Sequence, residues 1–155
     1  MDRSQGLPST RSKAIHRGGS LDPLLRYVGH WALLGFGYWA GEEKASGIFV
    51  GEVGFADYKR DMQSPVKELP EIGWVLVAAA HERVTRRRAA LAALRWGDSH
   101  FPESRTTCII SPDNLQSIRV AEKCGYRDLE LTLYKGQRRL CLCESLAASY
   151  FPAQN

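Results

Sequence analysis

The stretch SPDNLQSIRVAEKCGY, residues 111–126, is the most informative in this chain of 155 residues. It follows a short apolar run, Cys108, Ile109 and Ile110, through a Pro-Asp-Asn turn. Leu115, Ile118, Val120, Ala121 and Cys124 then fall mostly at three- and four-residue steps, the spacing of one helix face. Gly125 stops that helix, and Tyr126 opens the next apolar segment. A strand, a polar turn, a short helix, a glycine and another strand make a compact binding device. The turn leaves backbone and side-chain donors uncovered where the helix begins.

The segments on either side read as parts of one sheet. Downstream, residues 126–134 and 138–144 predict two closing strands that turn at Lys135, Gly136 and Gln137. Upstream, residues 105–110 predict a strand, and residues 82–96 a helix with an apolar body that Gly97 ends. EIGWVLVAA, from Glu71, predicts a buried strand in which Gly73 permits a bulge or a close approach by another backbone. Residues 61–69, with Pro65, read as a loop. FGYWA, GEEKASG and IFVGEVGFADY, from Phe36 onward, read as a hairpin of β-branched and aromatic residues. Ser20 caps a helix with Asp22 and Pro23 in its first turn and Leu21, Leu24, Leu25, Val28 and Trp31 on its apolar face, ending at residues 31–35. Residues 1–20 are polar, basic and rich in Gly, Ser and Pro, the composition of a disordered or loosely attached arm. One domain over 21–145, a tail at 146–155 and an α/β or α+β sandwich around one mixed sheet follow from this order.

Composition narrows the function classes. With 44% hydrophobic and 25% charged residues, the chain has an ordinary soluble make-up. No run approaches the ~18 apolar residues of a membrane span, and the first residues lack a secretory apolar region, so a cytoplasmic location is expected. The net charge of +4 is uneven, because Arg83, Arg86, Arg87 and Arg88 sit together. That cluster suits an anion. It lacks the interleaved aromatics of a nucleic-acid surface, so neither nucleic acid nor membrane is an expected partner. Cys108, Cys124, Cys141 and Cys143 carry no zinc or disulfide spacing and read as buried free thiols. No metal site is expected.

At this point the residues resemble a known family. WALLGFGYWA, GIFVGEVGFADY, EIGWVLV, AALAALRWGDSHF and above all PDNLQSIRVAEKCGYRDLE are similar, in order and spacing, to the GNAT superfamily of acetyl-CoA-dependent N-acetyltransferases, and within it to the RimJ/RimL-like branch. The resemblance covers most of residues 24–144. It implies an α/β (α+β) fold with a mixed, mostly antiparallel central sheet, splayed central parallel strands and flanking helices. The family's first strand has no counterpart in residues 1–20, so a sheet lacking that strand is expected.

The resemblance also implies a function, acetyl transfer from acetyl-CoA to a primary amine by direct attack, and the site that performs it. The two splayed strands, residues 71–78 and 105–110, would hold the cofactor's pantetheine arm, with Leu76 and Val77 offering backbone groups. Asn114 would hydrogen-bond the arm. Ser117, one turn later, would donate a proton to the departing thiolate, because the position where many members carry a tyrosine acid is Ala121. Glu71 is the candidate base. Capping of the helix by Asn114 and Ser117, and a solvated strand-end role for Glu71, are the structural alternatives. The acceptor would be a small amine or a peptide N-terminus, and a homodimer is compatible with the family.

One segment departs from the family pattern. The pyrophosphate loop ahead of the cofactor helix carries glycines in the family, where bare N–H groups approach the phosphates. The corresponding residues 81–88, HERVTRRR, contain none. Arg83, Val84, Thr85, Arg86 and Arg87 are the cofactor-binding candidates there, but guanidinium charge does not restore the cradle of N–H donors, so weakened binding of acetyl-CoA is expected. Back-translated with suitable codons and read from the third base, these residues give Arg-Ala-Gly-Tyr-Ala-Thr-Glu, similar to the family's loop, as a compensated frame change in the coding DNA would produce. The same departure supports an alternative function, a GNAT-fold domain that binds a partner and no longer catalyses.

Overall fold

The computed structural model describes residues 17–77 and 83–144. The expected arm up to residue 16, residues 81 and 82 of the glycine-free segment, and the tail at 146–155 lie outside the described residues. The elements follow the predicted order: α1 (Arg17–Leu34), β1 (Tyr38–Glu42), β2 (Phe49–Ala56), β3 (Glu71–Leu76), α2 (Arg83–His100), β4 (Thr107–Ile110), α3 (Leu115–Lys123), β5 (Tyr126–Tyr134) and β6 (Gln137–Glu144). Among the described residues they build a six-stranded sheet in the order β1-β2-β3-β4-β6-β5. All pairings are antiparallel except β3 with β4, which is parallel.

Local chemistry accounts for the corners. Lys135 (φ 51°) and Gly136 (φ 73°) both sit in the left-handed region, so the β5–β6 connection is a two-residue turn whose twist matches its strands. Gly125 (φ 91°) ends α3 as expected.

Two clusters hold the sheet. On one face, Phe55, Ile72, Ala90, Leu94, Val120 and Leu142 pack where α2 and α3 lie. On the other, no helix is needed: Met62 and Val66 of the irregular segment after β2 seat on Cys141 and Cys143. The two thiols are two residues apart and so share that face. All four cysteines are free and buried. Burying a side chain the size of Phe55 contributes about 1.5–3 kcal/mol, so these clusters outweigh any surface contact. α1 is attached by aromatic edges, Trp31 meeting Trp39 at 5.2 Å and Trp96 at 6.0 Å between ring centroids.

Three expectations are corrected. α2 runs on through Gly97 to His100. The glycine is there for clearance, since a Cβ on it would lie 2.8 Å from the Phe55 ring; it does not stop the helix. α1 begins at Arg17, ahead of the anticipated Ser20 cap, and takes Pro23 into its body. Gly73 does allow a close approach, but by a side chain: its missing Cβ leaves room for the Tyr38 hydroxyl.

Candidate active site

The parallel pair β3–β4 touches at one register position, Glu71 opposite Thr107, where the Thr107 N–H donates to Pro70 O at 3.0 Å. Past that point β3 stays with β2 and β4 stays with β6, so the sheet opens between them. The Val77 N–H donates to Val50 O at 3.0 Å. Antiparallel alternation then turns the backbone groups of Val75 and Gly73 toward β2 and those of Trp74 and Leu76 toward the opening. Of the two expected backbone contributors, Leu76 faces the gap, whereas the Val77 amide is spent on β2.

A cleft of about 240 Å³ fills the opening, and Glu71, Asn114 and Ser117 all line it. Candidates from two segments far apart in sequence thus meet in one cavity. Tyr38, Tyr58, Arg60 and Cys108 line the same cleft and carry no sequence signal that would single them out. A larger apolar groove of about 940 Å³ runs between α1 and β1–β2. Its polar members Tyr27 and Glu52 are bonded to each other at 2.6 Å, and none of Glu71, Asn114 and Ser117 lines it.

Glu71 is not a solvated strand-end carboxylate. It is only 8% exposed, and Arg60 grips both its oxygens, Nε to Oε2 at 2.7 Å and Nη2 to Oε1 at 2.8 Å. Such a fork is rigid, and removing either partner of a buried pair costs about 3–5 kcal/mol. The Arg60 guanidinium is itself held over two rings, Tyr58 at 4.6 Å and Tyr134 at 4.8 Å. Burial opposes the Arg60 charge, but the hydrogen bond and charge of Glu71 outweigh it, and the group stays more firmly protonated than usual. A carboxylate oxygen has a second lone pair, so Glu71 can accept one further proton donor while gripped. An arginine in the irregular segment ahead of a strand gives no sequence sign that it will fold back onto that strand's first residue.

On the opposite wall, Asn114 is the N-cap of α3, its Oδ1 accepting the Ser117 N–H at 3.1 Å. The capping alternative therefore describes the Asn114 carbonyl, and leaves its amide nitrogen as the donor to the cleft. Ser117 contributes its backbone N–H to that cap and is itself a lining residue of the cleft. Ala121 is fully buried in the core, so the position where a tyrosine acid is common points away from solvent. Cys108 lines the cleft, but burial pushes its thiol well above the usual range, so it is a poor nucleophile.

α2 starts at Arg83, within the segment 81–88 expected to meet the phosphates, and a helix N-terminus carries N–H groups without partners inside the helix. The side chains of Arg83, Val84 and Thr85 lie outside the described residues. Arg86 reaches α3, donating to Gln116 Oε1 at 2.7 Å, and Arg87 is exposed. The open backbone of β3 fits the amides of a pantetheine arm, and the helix start with its arginines fits an anion.

Residues 12–127 match the family model for the acetyltransferase (GNAT) domain, and the chain belongs to that family. It is 31% identical over 91 residues to the uncharacterized protein YkkB of Bacillus subtilis (strain 168), a match covering 59% of this chain and 51% of that one. The chain thus spans about half the length of that relative. Among solved structures, it is similar to a chain from Bordetella pertussis assigned to the GNAT-family acetyltransferases, with a TM-score of 0.78 and 27% identity over 87% of this chain and 83% of that one. The ribosomal-protein-S5-alanine acetyltransferase of Vibrio fischeri shares the fold, with a TM-score of 0.64 and 16% identity over 87% of this chain and 74% of that one. No helix among the described residues is long and apolar enough to cross a membrane.

Proposed function

We propose that the chain is an acetyl-CoA-dependent N-acetyltransferase acting on a primary amine by direct transfer. The observation that carries this reading is the convergence of Glu71, Asn114 and Ser117 on the opening between β3 and β4. Acetyl-CoA, when bound, supplies the acyl carbon and the thiolate leaving group. Trp74 and Leu76 present backbone groups along one side of the opening, and the Asn114 amide donates from the other. Glu71, aimed by Arg60, takes the proton of the acceptor ammonium, directly or through one water. Ser117 Oγ donates a proton where the sulfur departs. No cysteine takes part.

Within the family we favour the RimJ/RimL-like branch, a protein N-terminus as acceptor and a cytoplasmic setting; the fold shared with the Vibrio fischeri enzyme is in keeping with that choice. A second reading, a GNAT-fold domain that binds without catalysing, draws on the glycine-free residues 81–88. Calorimetry with acetyl-CoA, paired with a thiol-release assay in the presence of amines, separates them. Micromolar binding with amine-dependent thiol release supports transfer. Absence of binding at millimolar cofactor supports the second reading.

A further inference from the structure

A second, polar cleft of about 640 Å³ adjoins the first, since Tyr58 and Arg60 line both. Its walls come from three distant parts of the chain: Arg26 and His30 on α1, Asp57, Tyr58 and Arg60 after β2, and Tyr134 with Lys135 at the β5–β6 turn. The charges here do not balance. Asp57 is matched by Lys59, 2.6 Å away, and Glu71 by Arg60. Both ring nitrogens of His30 are engaged, Nδ1 with Arg26 O at 2.9 Å and Nε2 accepting the Asp57 N–H at 3.2 Å, so it shapes the wall. That leaves Arg26 and Lys135 as cations with no carboxylate partner among the described residues.

Both are exposed, and each rests against a ring that faces the cleft. The Arg26 guanidinium lies 5.7 Å from the Tyr58 centroid, and Lys135 Nζ lies 5.5 Å from the Tyr134 centroid. Arg60 sits between the same two rings. The result is a volume suited to an amino-acid-sized group, edged by cations, that shares its Tyr58 and Arg60 wall with the cleft lined by Glu71, the carboxylate that would take the acceptor's proton. A polyamine would meet like charge there. An amine that carries an anion a few atoms from its nitrogen would meet opposite charge at the mouth and the base beyond it.

We infer that the acceptor is a primary amine whose own molecule bears a carboxylate, which Arg26 and Lys135 hold while the amine reaches Glu71. That this amine is acetylated rests on the transferase reading; the carboxylate site stands without it. Two sources share this chemistry, a free amino acid and a peptide N-terminus followed by an acidic residue.

An NMR titration of the full chain without cofactor, following the signals of Arg26, Tyr58 and Lys135, tests this. The probes are L-glutamate, a seryl-glutamyl peptide amide, glutaminamide as the carboxylate-free counterpart, and putrescine. Saturable binding by either carboxylate amine, with shifts at those residues and weakening as salt rises, is expected. Which of the two binds more tightly identifies the source. Arg26→Gln and Lys135→Asn, the latter chosen to suit the positive φ of that turn, should each raise the Kd about threefold to tenfold, with Lys44→Gln as a remote control. Equal or tighter binding of glutaminamide or putrescine overturns the inference. So does an unchanged Kd in both variants, or no saturation by either carboxylate amine. Carboxylate binding without thiol release in the separate transfer assay would sink the transferase reading and leave this one standing.

Discussion

At the start of α3 each polar group has a definite role. Asn114 caps the helix, Ser117 gives its N–H to the cap and lines the cleft, and on the facing wall Arg60 grips Glu71. The start of α2 is built otherwise. There, long cationic side chains replace the glycines on which the family relies, and one of them, Arg86, turns sideways to Gln116. Glycine lets a ligand touch the backbone, while arginine can only meet it at arm's length. Under the proposed transfer, position at the α3 end and charge at the α2 end are different strategies, and they should fail differently when mutated.

The sharpest contrast comes from Glu71→Gln. It should cut kcat/KM about 100-fold or more while acetyl-CoA affinity, read by calorimetry, hardly moves. A fall in affinity instead would mean that the pair with Arg60 builds the cofactor site. Restoring glycines at positions 82, 84 and 86 should do the opposite. Acetyl-CoA affinity should rise about tenfold, with thermal stability falling because glycine costs roughly 0.5–1 kcal/mol at each position inside a helix. Unchanged affinity would show that charge suffices at α2 and erase the contrast.

Ser117→Ala keeps the capping N–H, so its effect should be confined to about a tenfold loss in kcat at constant KM. Asn114→Ala should cost about 1 kcal/mol of stability through the lost cap, seen as a melting temperature lower by a few degrees, and raise the KM for acetyl-CoA. The smallest effect concerns pH. Burial pushes the Cys124 thiol up from 9.0 to about 11, and Cys108 also upward. A raised folded-state pKa contributes stability that is complete below the unfolded value and disappears as pH climbs. The melting temperature should therefore fall between pH 9 and 11, with a shallower slope in Cys124→Ala.

What the sequence disclosed follows from the range of the forces involved. The order of elements, the β5–β6 turn and the Gly125 stop rest on periodicity and backbone conformation, which are local, and each is met by the structure. Glu71, Asn114 and Ser117 stand out because they lie in segments that resemble the family. Arg60 does not, because its partner is set by the fold of an irregular segment stapled down by Met62 and Val66. Gly97 misleads for a related reason. Its local signal is a helix stop, yet its use is clearance for Phe55, a neighbour supplied by another element. Sequence proximity reveals conformation, and only packing reveals partnership.

The single register pair between Glu71 and Thr107 also says how the molecule comes apart. Each side of the opening is contiguous along the chain, β1-β2-β3 on one side and β4-β6-β5 on the other, with the segment through α2 as the only covalent span between them. Each leaflet can zip by short-range contacts before the two meet, a low-cost route for a mixed sheet. Under native hydrogen exchange the leaflets should open as separate units, with amides beside the tie protected only while both are docked. The gap that would admit a cofactor is, in mechanical terms, a seam in the sheet that the cores on its two faces bridge.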